Sequence, residues 1–188
     1  ALDGDFSGAR YGYRASGEWN SAQGLWFDPA KLLVDPCALE LDQPFRYDVN
    51  LSAYGIDTAQ IVPKGIVINP GAVAPEPPKF QHGGLIYEAN VRGLTMLHPD
   101  VPETMRGTVA ALAHPAIIKH LKSLHVSAIE LMPIVAWIDE RHLPPLGLRN
   151  FWGYNPVCMM ALDPLVCPGG VAELRETVAA LHAAGIGV

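Results

Sequence analysis

The sequence predicts a multidomain chain, β in its first part and α/β in its second. Three observations carry that expectation. Up to about residue 70, short strand-like pieces are separated by Gly, Asp, Asn and Pro turns, the punctuation of an antiparallel sandwich. A proline-rich stretch without any period follows at 71–78. Beyond it, strand-like and helix-like patterns alternate, which describes parallel-sheet α/β architecture without separating a barrel from an open sheet.

The strand-like pieces of the first part are Tyr11–Arg14, Leu25–Phe27 and Gly65–Asn69. Asp28-Pro29 and Asp35-Pro36 between them are incompatible with helix interiors, because proline excludes the helical conformation of the residue before it. The stretch from Gly71 to Pro78 reads as a semi-rigid linker. Leu85–Val91 is strand-like. Pro115 sits at a first helical position, and Ile117, Ile118, Leu121 and Leu124 follow on one helix face. Ala128–Met132 is a second strand, ended by Pro133. A loop of roughly 35 residues follows, far beyond the usual 2–6, so it is expected to be functional or to carry structure of its own. Val171, Leu174, Val178 and Leu181 mark the next helix face, with Glu173 and Glu176 near its positive N-terminal end. Gly185 stops that helix, and Ile186–Val188 begin a third apolar strand of the kind buried on both faces. The expected division is therefore 1–70 for the β module, 71–82 for the linker and 83–188 for the α/β part. The first residue is Ala1 and the third strand is only begun, so both ends read as cuts through a longer protein.

Composition excludes several classes. Of 188 residues, 49% are hydrophobic and 17% charged, which is globular rather than disordered. The formal charge is −6 with no Lys/Arg run, which argues against nucleic acid and against an anionic membrane surface as partners. No apolar run reaches about 18 residues, so no transmembrane helix is expected. Cys37, Cys158 and Cys167 have no C-x-x-C spacing, which disfavours a disulfide scaffold and a four-cysteine zinc site and fits a reducing, cytoplasmic compartment.

The candidate chemistry is narrow. Glu88 and Glu130 lie in strand-like segments and Asp139-Glu140 in the long loop. Two carboxylates can act as acid and nucleophile across a sugar bond. Residue type alone is weak evidence, so the preferred reading makes Glu88 and Glu130 structural, paired with Arg or Lys, and leaves Asp139-Glu140 solvated. The seven histidines (82, 98, 114, 120, 125, 142 and 182) form neither H-E-x-x-H nor a pair spaced for one helix face, so no metal is expected. No nucleophile elbow and no P-loop is present. The run Arg149–Pro156 (RNFWGYNP) stands out. Flat rings stack on the apolar faces of sugars, Asn and Arg donate to hydroxyls, and Gly153 lets the backbone approach. A hydrophobic turn plugging the top of the sheet is the equally open alternative. Its place after a strand matters, because ligand sites of parallel α/β folds lie at the carboxyl ends of strands.

Six segments together resemble one known family: Tyr87–Thr95 (YEANVRGLT), His98–Pro102 (HPDVP), Arg106–Thr108, Leu112–Pro115 (LAHP), Glu130–Pro133 (ELMP) and Gly147–Asn155 (GLRNFWGYN). They resemble the bacterial glycogen debranching enzymes, in the isoamylase branch of the α-amylase glycoside hydrolases. Residues 10–14 and Phe27–Pro36 (FDPAKLLVDP) are similar to the latter part of that family's N-terminal glycogen-binding-type module. The resemblance implies a partial N-terminal β-sandwich followed by the first β/α units of a truncated (β/α)8 TIM barrel. Leu85–Val188 supplies about 104 residues against the roughly 250 of a whole barrel.

The activity implied is hydrolysis of α-1,6 branch linkages in a branched α-glucan, glycogen or limit dextrin, by a retaining mechanism without a cofactor. The catalytic carboxylates are expected beyond Val188, so no catalytic residue is assigned within the chain, and the chain alone is expected to be inactive. The carried-over substrate-binding residues are Tyr154, which matches the aromatic that stacks on the sugar at the cleaved bond, with Trp152 and Asn150 flanking it. Met159–Leu162 departs from the relatives' more aromatic stretch. The alternatives are a non-catalytic carbohydrate-binding chain, a starch isoamylase and a trehalose-releasing enzyme. No oligomeric state is implied. An incomplete barrel with bare strand edges leads to the expectation that residues 1–70 resist hydrogen exchange better than 115–188.

Overall fold

The computed structural model describes residues 3–69, 71, 77, 79, 80 and 82–188. Most of the expected linker, 72–76 with 78 and 81, lies outside the described residues. The chain divides into two compact units. One comprises residues 1–69 and 135–161, the other 70–134 and 162–188. The long loop thus groups with the β part rather than with the α/β part that precedes and follows it in sequence.

In the first unit each of the three expected strand segments contributes a very short strand, and a fourth, at Trp19–Asn20, was not expected. β1 (Arg10–Tyr11) pairs antiparallel with β4 (Gly65–Ile66). β2 (Trp19–Asn20) pairs antiparallel with β3 (Leu25–Trp26) across a 3-10 turn at Ser21–Gln23. Gly24 closes that turn at φ 75°, a left-handed conformation that costs glycine nothing. Single antiparallel bridges join Tyr13 to Leu33 and Leu41 to Gly65. Polar side chains do much of the work that ladders do elsewhere. The Lys31 ammonium donates to three carbonyls, those of Asn50 (2.9 Å), Ile56 (2.8 Å) and Ala53, and so spends all three of its protons on one loop. Buried Asp28 accepts from the amides of Ala30 (2.9 Å) and Gly55 (2.7 Å), and buried Thr58 accepts from that of Leu32 (2.9 Å). The apolar core is small in volume: Ala38, Leu41, Ala136, Cys158 and Ala161, with Val34 and Val157 packed on it. Three of those five core residues come from the long loop.

The second unit follows the expected alternation. β5 (Leu85–Ala89) and β6 (Val126–Leu131) are parallel, in register from Tyr87↔Ile129 to Ala89↔Leu131. Gly187 forms a parallel bridge to Ala128, with the Gly187 amide donating to Ser127 O and the Ile129 amide to Gly187 O, both at 2.9 Å. The third strand therefore starts beside β6, in the order of the sequence. α2 (Pro115–Ser123) carries Pro115 in its first turn, and the His114 ring accepts from the Ala116 amide. Ile117 and Leu121 are buried as expected, whereas Leu124, in the helix C-cap, is exposed. α3 (Gly170–Ala183) buries Thr177 and Leu181, a face rotated from the expected one because Thr177 Oγ1 donates to Val109 O (3.5 Å).

Two elements were not expected. α1 (Val91–Thr95) is capped by Asn90, whose side-chain oxygen accepts from the Gly93 amide. A 3-10 segment at Val109–Ala113 contacts α1, α2 and α3. Glu173 ties α3 to it, accepting from the amides of Ala110 (2.9 Å) and Gly169 (2.7 Å). The core here is built from larger groups: Val109, Leu112, Ile117, Leu121, Ile129, Leu181 and Ile186 are all essentially inaccessible.

Candidate functional site

The run Arg149–Pro156 is a loop braced by its own polar groups. Asp139 accepts from the Asn150 amide (2.8 Å) and from Arg149 Nε (3.2 Å). Asn150 Nδ2 donates to Glu140 (3.0 Å), while Asn150 Oδ1 accepts from the amides of Trp152 (3.0 Å) and Gly153 (2.9 Å). This is an Asx-type turn, the use of asparagine that lets a side chain replace a missing backbone partner. Asp139 and Glu140, expected to be solvated, are instead the fixed points of this loop, because the loop's amides need acceptors. Gly153 is buried at φ 79°, and Asn155 pairs with Ile138 through the Ile138 amide to Asn155 O (3.0 Å) and Asn155 Nδ2 to Ile138 O (3.2 Å).

The loop is anchored at its C-terminal limb. The Met159 amide donates to Pro36 O (3.1 Å) and the Cys158 thiol to Asp35 O (3.2 Å). Asp35 in turn accepts from the Cys37 amide (2.9 Å) and the Tyr11 hydroxyl (2.8 Å). Burial, with Asp35 adding to it, pushes the Tyr11 phenol up to about 12. Burial likewise pushes the Cys158 thiol up to about 11, which keeps it protonated and able to donate. All three cysteines are free thiols.

On this frame the three expected residues divide. Trp152 and Tyr154 present their rings to solvent, 64% and 61% exposed. Asn150 is committed inside the loop. Large rings held out on a braced loop are suited to stacking on an apolar-faced ligand. Sequence reasoning missed the bracing role of Asp139 and Glu140; the Asp-Glu pair ten residues before Arg149-Asn150 was the visible signal.

Glu88 and Glu130 are brought side by side in the β5–β6 ladder, both exposed. The expected Arg or Lys partner is not found: among the described residues neither carboxylate has an ion pair. Tyr87, the neighbour of Glu88, packs edge-on to His120 of α2 with ring centroids 6.5 Å apart. Alternation along the strand therefore aims Glu88 and Glu130 at the sheet face away from α2, out of reach of its lysines. Among the described residues no three His, Cys, Asp or Glu converge as a metal site, and no helix is long and apolar enough to cross a membrane.

No family model matches the chain. The resemblance carried by the motifs is borne out by direct comparison. The chain is 45% identical over 199 aligned positions to the glycogen debranching enzyme of Klebsiella pneumoniae (strain 342), an alignment covering 100% of this chain and 30% of that enzyme. The chain thus spans under a third of that relative's length. Among solved structures it is similar to a pullulanase from Anoxybacillus sp. LM18-11 in complex with maltotetraose (TM-score 0.55, 21% identity, 83% of this chain and 23% of that one). It is also similar to the pullulanase SAP of GBS with maltotetraose (TM-score 0.57, 25% identity, 84% and 22%). A third is the catalytic module of the pneumococcal glycogen-degrading SpuA (TM-score 0.57, 22% identity, 82% and 24%). The fold of this chain is thus similar to that of part of these enzymes.

Proposed function

We propose that the protein carrying these residues is a glycogen debranching enzyme, hydrolysing α-1,6-glucosidic branch linkages of glycogen or limit dextrin with retention at the anomeric carbon. The observation that carries this reading is 45% identity over the whole chain to an enzyme of that name. The pullulanase-like fold supports it. In this reading the first unit contains much of a β-sandwich module, residues 1–70, and residues 83–188 open a (β/α)8 barrel across a linker at 71–82. The compact units add that residues 135–161 pack with the module. A cytoplasmic location goes with the three free thiols.

Retention requires two carboxyl groups about 5–5.5 Å apart, one as acid and one as nucleophile. This reading places them in the part of the relatives' length that these residues do not span, so the 188-residue chain alone does not hydrolyse glycogen. What the chain contributes is a wall of the site. Tyr154 stacks on the glucosyl unit at the scissile bond, Trp152 flanks it, and Asn150 holds the turn that presents both rings.

The test is product analysis with the whole protein on glycogen and on phosphorylase limit dextrin. Short linear maltooligosaccharides and no trehalose are expected. Release of trehalose, or binding of glycogen without any product, would overturn the reading in favour of a trehalose-releasing enzyme or a binding protein respectively. Strong preference for amylopectin over limit dextrin would favour a starch isoamylase.

A further inference from the structure

We propose that Tyr11 and Asp35 are positioning residues, which from the β module hold the loop carrying Tyr154 in the placement where its ring meets the sugar. The role of that ring rests on the debranching reading; the hold on the loop rests on hydrogen bonds. Asp35 is a junction. Its carboxylate accepts from the Cys37 amide (2.9 Å) on one oxygen and from the Tyr11 hydroxyl (2.8 Å) on the other. Its carbonyl accepts from the Ala38 amide (3.1 Å) and from the Cys158 thiol (3.2 Å). The carbonyl of the next residue, Pro36, accepts from the Met159 amide (3.1 Å). The turn that Asp35 opens is thus tied on one side to β1 and on the other to the loop, just after Tyr154.

Pairing inside the loop leaves this task undone. Trp137 bridges Pro156, the Val157 amide donates to Ala136 O (2.9 Å), and the Ile138 amide donates to Asn155 O (3.0 Å). Those bonds set the two limbs against each other, and Asp139, Glu140 and Asn150 set the tip; they do not set the loop against the module. The small apolar groups Ala38, Leu41, Ala136, Cys158 and Ala161 cluster between them. Apolar contact is non-directional, whereas a hydrogen bond fixes distance and angle. The Tyr11 ring is itself held for its reach to Asp35. It lies over Gly65 of β4, where an added Cβ would come within 2.7 Å of the ring. Gly65 is not among the glycines of positive φ, so its missing side chain serves the ring and not the backbone. Tyr13 packs edge-on to Tyr11, centroids 5.9 Å apart. Asp35-Pro36 is also the end of the Phe27–Pro36 run, whose place in the protein the loop contact explains.

The test is steady-state hydrolysis, by the whole protein, of a maltooligosaccharide with a single α-1,6 branch, at a temperature where every variant is folded. Tyr11→Phe deletes one oxygen and keeps the ring. Misplacing a group at the reacting centre by about 1 Å costs about 100-fold, so a smaller shift of the loop is expected to lower kcat about 3- to 10-fold. KM should move less than about twofold, because the stack is strongest in the transition state. In a Tyr154→Ala background the same substitution should have no further effect, since the ring it places is gone. A merely structural role would lower activity by the same factor in both backgrounds. Tyr13→Phe, which removes the hydroxyl of the neighbouring ring, should match the wild type. If Tyr11→Phe fails to fold, Cys158→Ala removes the bond from the loop side and Cys158→Ser restores it, with the same pattern expected. Peptide-resolved iodoacetamide labelling reads the hold directly. Exposed Cys37 reacts in every variant, and Tyr11→Phe should speed labelling of buried Cys158 at least about threefold relative to Cys167, which is buried in the other unit. Equal losses in both backgrounds, no loss in either, or labelling of Cys158 and Cys167 that rises together overturns the proposal while an active wild type preserves the debranching reading. A wild type that hydrolyses nothing removes that reading, and the positioning role with it.

Discussion

Asp28 shows how single polar residues hold the first unit. Burial pushes its carboxyl up, but the amides of Gly55 and Ala30 and the Lys31 charge outweigh that and hold it below its ordinary value of 3.8. A carboxyl depressed in the folded state contributes stability that is complete above the unfolded value and is lost as pH falls through the folded one. Asp28→Asn is therefore expected to lower the melting temperature at pH 7 and to make its fall between pH 5 and 2 shallower. Melting curves of both proteins across that range check it; parallel curves would remove Asp28 from the acid response. Tyr154 belongs to the same scale but is tested by rate. In the whole enzyme, Tyr154→Ala should lower kcat/KM roughly 10- to 100-fold, an aromatic contact of about 1–3 kcal/mol that tightens as the sugar flattens toward an oxocarbenium ion. Its exposure means that little folding stability rests on it. Tyr154→Phe should retain most activity if stacking dominates. A melting temperature that drops while kcat/KM stays normal would make the ring a packing residue instead.

At the scale of elements, the connection from α2 to β6 carries its own prediction. His125 closes α2 at φ 57°, the one non-glycine with positive φ among the described residues. Left-handed backbone costs an L-residue about 1–2 kcal/mol, and glycine's extra unfolded-state entropy returns about 0.4–1. His125→Gly should therefore match or exceed the wild type in stability, and His125→Val should fall at least about 1 kcal/mol below the glycine variant. Urea denaturation orders the three; a valine variant as stable as glycine would deny the strain. Elements were legible where the pattern was local. Pro115 with Ile117 and Leu121 gives α2, and the 171–181 periodicity gives α3, although Thr177 rather than Val178 is buried alongside Leu181. α1 is too short for a period, though Asn90 was a readable cap. Val109–Ala113 is apolar on nearly every side and shows no face. The attachment of 135–161 to the first unit depends on bonds such as Met159 to Pro36, 123 residues apart in sequence for its neighbours Cys158 and Asp35, and no local pattern encodes them. The exposed rings of the site were legible for the same local reason that the brace was not: ring-rich composition is visible in the run itself, whereas Asp139 and Glu140 acquire their role only when the loop closes.

At the scale of the whole chain, the distribution of buried groups reverses one expectation. Bare strand edges and a partial barrel argued that residues 1–70 would be the better protected part. The structure puts the larger buried side chains in the other unit, with Leu112, Ile117, Leu121, Ile129, Leu181 and Ile186 all at 1% exposure or less. The first unit's fully enclosed apolar groups are mostly small, Ala38, Ala136, Cys158 and Ala161, and its ladders are two residues long. Protection against exchange follows buried apolar contact and continuous hydrogen bonding, because opening must expose both. Burying a Leu or Ile side chain is worth about 1.5–3 kcal/mol, well above what an alanine methyl supplies. Amides of α2, β6 and the second half of α3 are therefore expected to exchange most slowly in the 188-residue chain, and those of 10–27 and 49–56 fastest. Peptide-resolved hydrogen exchange at neutral pH measures this directly. Slower exchange across 10–27 than across 115–131 would show that the polar braces of Lys31 and Asp28 outweigh apolar burial, and that the β part holds the chain together.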